Sequence, residues 1–156
     1  MADVGILIGS KNDLEHIEPL KKLFDEFGIS YTIEVISAHR NPEGVRQWAI
    51  KAEEQGIKVI VAAAGAAAHL PGTLAAWSNL PVIGIPLPTS PLNGLDSLLS
   101  IVQMPAGVPV ACMAIGSAGV SNAAYFVARV LGLWDRSIRE RHDKKRKDLA
   151  AQGISS

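Results

Sequence analysis

Lys58-Val59-Ile60-Val61-Ala62-Ala63 is a run of β-branched and small apolar residues with no polar alternation after its first position, and it leads directly into Ala64-Gly65-Ala66. A strand with one wet face alternates polar with apolar residues, whereas a strand buried on both faces is continuously apolar. Val4 to Ile8 is a second such run, ending in Gly9-Ser10. Tyr31 to Ile36, Pro81 to Ile85 and Val108 to Ala114 supply three more strand-like segments. Helical spacing fills the gaps: Leu14, Ile17, Leu20, Leu23, Phe24 and Phe27 mark a helix over Asp13 to Phe27, which Gly28 terminates. Pro42, tolerated at a first helical position, opens a helix that runs to about Gln55 before Gly56. Further helices are predicted over Pro71 to Ser78, Leu95 to Gln103 and Gly119 to Leu131. Buried strands alternating with helices define an α/β fold, a three-layer α/β/α sandwich around a parallel sheet.

In that architecture ligands bind outside the carboxyl ends of the strands. Gly9-Ser10, Ser37-Ala38-His39-Arg40 and Ala64-Gly65-Ala66 all fall at this edge, after strands one, two and three. The chain has 156 residues, the size of one ordinary domain, and carries 15 basic and 15 acidic residues with zero formal net charge. No global field therefore recruits nucleic acid or an anionic membrane, and an anionic substrate must be captured locally. From Val59 to Ala128 the one formally charged side chain is Asp96, although seven of the nine prolines lie there. Those prolines and the glycines interrupt any apolar run long enough to span a membrane. An uncharged stretch of this length predicts a surface covered by further subunits, hence a homo-oligomer. The division expected is a catalytic α/β domain over residues 1–134, followed by a charged C-terminal helix and tail over 135–156. Asp135 to Asp148 carries seven basic and four acidic residues, with Ile138, His142, Lys145 and Leu149 on one stripe of a mostly solvated helix. Met1-Ala2-Asp3 enters the first strand without the features of a signal peptide, so a cytoplasmic location is expected. Cys112, the single cysteine, is read as a small core residue.

Three loops carry candidate chemistry. Gly9-Ser10-Lys11-Asn12-Asp13 joins the first strand to the first helix, where free backbone N–H groups and the helix dipole favour a phosphate. Ser10 and Asn12 add donors and Asp13 can accept from ribose hydroxyls; the alternative is an ordinary helix cap made by Asp13. No Walker or Gly-x-Gly-x-x-Gly pattern is present, which disfavours nucleoside triphosphates and NAD. In the second loop Arg40 can grip phosphate bidentately, and His39 is the side-chain type that titrates near neutrality without help. Its place between Ala38 and Arg40 at the functional edge favours catalysis over a structural role. In the third, Ala62 to Ala68 is a tract of very small residues followed by His69, suited either to a dry ligand pocket or to close helix-to-sheet packing with His69 as its cap. His39 and His69 lack neighbouring Asp, Glu or Cys ligands, so no metal site is expected. His16 and His142 are placed on helix surfaces. No second acid or base is assigned to His39.

These three motifs in this order, together with Gly94-Leu95-Asp96-Ser97-Leu98-Leu99-Ser100-Ile101-Val102-Gln103-Met104-Pro105, resemble the class I PurE family, the N5-carboxyaminoimidazole ribonucleotide mutases of purine biosynthesis. The resemblance covers about residues 3 to 133. It implies a flavodoxin-like subunit in a homo-octamer, without cofactor or metal, that moves a carboxylate from the exocyclic nitrogen of a ribonucleotide to ring carbon C4. It implies His39 as general acid and base, with Ser10, Asn12, Asp13 and Arg40 on the ribose phosphate. Ala64, Gly65, Ala66 and His69 would enclose the base and CO2, and Ser37 and Leu70 join the substrate-binding set. Four positions depart from the family pattern: Asn12 replaces the usual serine, Leu14 a common tryptophan, and Ala63 and Ala66 stand where glycine is usual. Two rival readings are a class II aminoimidazole ribonucleotide carboxylase that takes free CO2, and a non-catalytic flavodoxin-like module that binds a nucleotide or flavin, with Trp77 available to stack on a ring.

Overall fold

A computed structural model describes residues 1–154. Five parallel strands, β1 (Val4–Ile8), β2 (Tyr31–Val35), β3 (Val59–Gly65), β4 (Val82–Leu87) and β5 (Ala111–Cys112), form one sheet in the order β2-β1-β3-β4-β5. Val4 pairs with Tyr31 on one side and Val59 on the other, so β1 and β3 are central and buried throughout. The helices are α1 (Glu18–Phe27), α2 (Pro42–Lys51), α3 (Leu70–Trp77), α4 (Leu95–Val102), α5 (Ser117–Leu131) and α6 (Arg136–Ile154). Alternate strand residues face opposite ways. Ile6, Ile8, Val61, Ala63 and Ile85 therefore pack with α1 and α5, while Leu7, Ile60, Ala62 and Ala64 pack with α2, α3 and α4. The expected three layers are present.

Element boundaries differ where proline acts. In place of one helix from Asp13, two 3-10 turns (Lys11–Asp13 and Glu15–Ile17) precede α1, because Pro19 at its first turn has no N–H to give and would collide with the carbonyl four residues back. β4 runs two residues beyond Ile85 and contains Pro86. The missing N–H costs little there, since β5 spans two residues rather than the seven expected and has ended before it reaches that level. Gly28 closes α1 as expected, at positive φ, with a bond from Ile29 N to Phe24 O, whereas α2 ends at Lys51, short of the expected Gln55, and Gly56, also at positive φ, closes the turn that follows it, with a bond from Ile57 N to Ala52 O.

Two placements require correction. His142 is buried, not on a helix surface: its ring meets Phe27 and Tyr125 edge-on, and Arg129 Nε lies 3.4 Å from its Nε2. The stripe that begins with Ile138 and His142 thus docks α6 on α1 and α5, helped by Arg141, which donates to Phe27 O at 2.8 Å, and by the Lys145–Glu26 ion pair. Leu149 at the end of the stripe is exposed. Cys112 is half-buried at the sheet edge, and burial pushes its thiol pKa up. Among the described residues no helix is long and apolar enough to cross a membrane. The uncharged segment does show apolar residues to solvent, with Leu92, Leu95, Leu99 and Val102 exposed around α4.

Close packing of α2 on the sheet depends on Gly5. A Cβ built there would lie 2.5 Å from Trp48 Cη2 and 2.8 Å from Ile57 Cδ1. Gly5→Ala is expected to destabilise the fold by about 1–3 kcal/mol, the usual cost of overpacking, read as a lower midpoint in urea denaturation.

Candidate active site

The order β2-β1-β3 reverses chain direction across the sheet at β1 and β3, the topological switch point where a crevice opens at the strand ends. A cleft of about 260 Å³ lies there. Ser10 and Asp13 enter it from the loop after β1, Ser37, His39 and Arg40 from the loop after β2, Ala64 and Gly65 from the last two residues of β3, which runs beyond the expected Ala63, and Ala66 to Leu70 from the chain that follows into α3. Of the predicted catalytic and substrate-binding residues, Asn12 alone does not line it. Its side chain is exposed, and its backbone N–H donates to Ser10 Oγ at 3.2 Å.

The first loop is built differently from the helix N-terminus expected. Ser10 and Asp13 form a capping box on a single 3-10 turn: Ser10 N donates to Asp13 Oδ2 at 3.1 Å, while the turn itself is closed by Asp13 N donating to the Ser10 carbonyl at 3.0 Å. These amides are already used within the loop, and α1 begins five residues later. An anion here must rely on side-chain donors, such as the Ser10 hydroxyl proton and Arg40, more than on a helix dipole. Asp13 is buried at the cleft floor, and that burial raises its pKa against the opposing pull of the Ser10 amide.

In the second loop, a turn closed by Asn41 N to Ser37 O at 2.9 Å leads into α2, which Asn41 caps through Gly44 N. Arg40 N donates to Ser37 Oγ at 3.3 Å, while the Arg40 guanidinium has no carboxylate partner among the described residues. His39 is not solitary. Its Nε2 lies 2.6 Å from His69 Nδ1, with the rings at 83° and their centroids 4.7 Å apart. One proton bridges these nitrogens, so one imidazole donates and the other accepts. His69 does not cap α3 with its side chain, although its carbonyl accepts from Thr73 N and Thr73 Oγ1. Its ring is therefore free for the cleft.

The small residues divide by direction. Ala63 is fully buried beneath α1 and α5 and leaves the cleft untouched. Ala66 lines the cleft with φ at +51°, a conformation that suits glycine. Leu14 is exposed outside the cleft. Thr89, two residues beyond β4, is a lining residue that sequence reasoning missed. The strand-end rule would have found it had β4 not been ended at Ile85, ahead of Pro86.

A neutral α/β protein that gathers an unpaired guanidinium, a buried carboxylate and a coupled imidazole pair at its switch point is equipped to take a small anion and exchange a proton with it. The AIR carboxylase family model matches residues 3–152, and the chain belongs to that family. It is 49% identical to an N5-carboxyaminoimidazole ribonucleotide mutase from Saccharolobus solfataricus over all of this chain and 98% of that protein. Against the mutase of the same name from Bacillus subtilis it is 48% identical, over 98% of this chain and 94% of the other. The crystal structure of Treponema denticola PurE aligns with a TM-score of 0.88 at 29% identity, covering 97% of this chain and 94% of that one.

Holding an alanine at positive φ costs about 1–2 kcal/mol, partly offset by the extra chain entropy that glycine would lose on folding. Ala66→Gly is accordingly expected to raise the midpoint of thermal unfolding by about 1–3 °C.

Proposed function

We propose that this chain is an N5-carboxyaminoimidazole ribonucleotide mutase of purine biosynthesis, an isomerase that carries a carboxylate from the exocyclic nitrogen to C4 of its ribonucleotide. The observation that carries the reading is the 2.6 Å approach of His39 and His69 between Arg40 and a wall of small side chains. Near-full-length identity of about half to mutases supports the same reaction. The enzyme is cytoplasmic and works as a homo-octamer, a state supported by the apolar residues exposed around α4 and by Leu133 and Trp134.

Arg40 and Ser10 take the phosphate, with Asp13 toward the ribose and Ser37 and Leu70 completing the substrate contacts, whereas Asn12, outside the cleft, acts only through its backbone N–H on Ser10 Oγ. Breakdown of the carbamate breaks its N–C bond and leaves CO2, while His39 gives the exocyclic nitrogen a proton. Carbon C4 then forms a bond to the CO2, and His39 recovers a proton from C4, so the protons balance over the cycle. With His39 Nε2 engaged by His69, His39 Nδ1 is the nitrogen left to face a ligand. His69 fixes the orientation of the His39 ring. Alanine methyls from 64 to 68 exclude water, and confinement keeps the CO2 beside C4.

The direct test supplies the carbamate in one assay and aminoimidazole ribonucleotide with bicarbonate in another. Fast conversion is expected from the carbamate, and efficient turnover from the second mixture alone would overturn the assignment. A pair of variants separates the two halves of the cleft. His39→Asn should abolish turnover while leaving ligand affinity within about tenfold, because it removes the proton carrier and spares the phosphate clamp. Arg40→Ala should weaken binding of the phosphorylated ligand by about 1.5–3 kcal/mol, the worth of a charge-assisted contact, as read by calorimetry.

A further inference from the structure

Thr89 is the one residue that β4's loop brings to the cleft. Its position is tightly set. A Cβ on Gly65 would fall on Thr89 Oγ1, so the hydroxyl sits directly over the last residue of β3, where no side chain but hydrogen fits. The loop that carries it is closed at its base by Ser97, which is fully buried and lies 3.0 Å from Leu87 O and 2.9 Å from Gly94 O through its hydroxyl. Within the loop, Leu92 N donates to Ser90 Oγ and Asn93 N to Ser90 O. A ring of hydrogen bonds joining the end of β4 to the start of α4 holds Thr89 in place before any ligand arrives, which is what a binding group needs.

The other hydroxyls of the cleft lie on the flank of β1 and β2, where Ser10 Oγ accepts from Asn12 N and Ser37 Oγ from Arg40 N, with their own protons turned to that side's ligand group. Thr89 Oγ1 has no hydrogen-bond partner among the described residues. It also lies on the opposite side of the site from the phosphate clamp. Arg40 follows β2 and Thr89 follows β4, three strand positions apart in the order β2-β1-β3-β4, or roughly 14 Å at ordinary strand spacing. A ribonucleotide whose phosphate lies at Arg40 extends its base toward β3 and β4. There the wall is alanine and glycine from 64 to 68, whose side chains offer a carboxylate no hydrogen-bond donor. Besides the imidazoles, Thr89 is the lining side chain on that flank able to donate a hydrogen bond.

We propose that the Thr89 hydroxyl holds the migrating carboxylate, donating to one of its oxygens in the carboxylated nucleotide, with Ser97 as the residue that positions the loop. The assignment rests on the mutase reading above and adds a contact that discriminates carboxylated from uncarboxylated nucleotide. It predicts a selective effect. Thr89→Val keeps the β-branch and the volume but loses the donor. It should weaken binding of 4-carboxyaminoimidazole ribonucleotide by about tenfold to a hundredfold, the range for a hydrogen bond to a charged group. Affinity for aminoimidazole ribonucleotide, which has no carboxylate, should stay within about twofold, and Thr89→Ser should restore the carboxylated ligand. Calorimetric titration of the intact protein with the two nucleotides measures the ratio. Equal weakening of both, as a merely structural role would give, or no change in either, overturns the proposal. Turnover of the carbamate by the unaltered protein is measured separately. Its absence would sink the mutase reading, whereas the binding ratio alone decides Thr89.

Discussion

Parallel pairing is the constraint from which the rest of the molecule follows. A parallel strand cannot be joined to its neighbour by a tight turn, so each connection must leave the sheet at one edge, cross a face as a helix and return at the other edge. All the outgoing loops therefore gather at the carboxyl ends of the strands, and all the returning ones at the far side. With the order β2-β1-β3-β4-β5, the loops after β1 and β3 diverge to helices on opposite faces and leave a crevice between them. Ser10, His39, Ala66 and Thr89 are far apart in sequence, yet share that crevice because each stands past the carboxyl end of a strand. The cleft needs no additional scaffold.

What fills the crevice is decided mainly by volume that is missing. β3 begins with Val59, Ile60 and Val61, then changes to alanine and glycine over its last four positions. The early residues bury large side chains on both faces, whereas the later ones allow neighbours to come close. Gly65 admits the Thr89 hydroxyl, and the alanines beyond it leave room for the imidazole of His69 to reach that of His39. Sheet packing and cleft shape are thus set by one stretch of chain. The positive φ of Ala66 lies at its end, where the chain must turn sharply enough to enter α3.

Much of this was legible in the sequence for physical reasons that also explain the misses. Continuous apolar runs marked β1, β3 and β4, because burial on two faces leaves such a pattern, while β2, a half-exposed edge strand, was marked by its β-branched residues alone. Three boundary misses fall at prolines: Pro19 delays α1, Pro86 lies within β4, and Pro109 precedes a β5 far shorter than expected; the early end of α2 at Lys51 and the longer β3 do not. A proline's effect depends on whether its absent N–H would have found a partner, which only the tertiary arrangement decides. The loops that form the cleft could be read from their position at strand ends. The His39–His69 contact could not, since 30 residues separate the two and no local pattern reports on their distance. Burial of His142 was hidden for a similar reason. A helix with so many charges reads as solvated all round, and the stripe that docks it depends on the surfaces of α1 and α5.

Capturing an anion with a chain of zero net charge places the burden on a few local groups. Exposed charges are screened over about 8 Å at physiological ionic strength, so distant lysines contribute little to the cleft. Many basic side chains elsewhere are already engaged, as in Lys58 with Asp3 and Lys145 with Glu26, whereas Arg40 has no such partner among the described residues. Its charge is available to a ligand without first breaking an ion pair. Asp13 opposes it. A carboxylate on the floor of an anion site repels the ligand that Arg40 attracts, and burial already raises the affinity of Asp13 for a proton. An arriving phosphate pushes that affinity in the same direction, because a like charge disfavours the ionised form. The ionisation of Asp13 is thereby linked to occupancy of the cleft. The Ser10 amide holds the Asp13 carboxylate at the cleft, so on the proposed reading the capping box that shapes the first loop would also set how strongly Asp13 meets a bound anion.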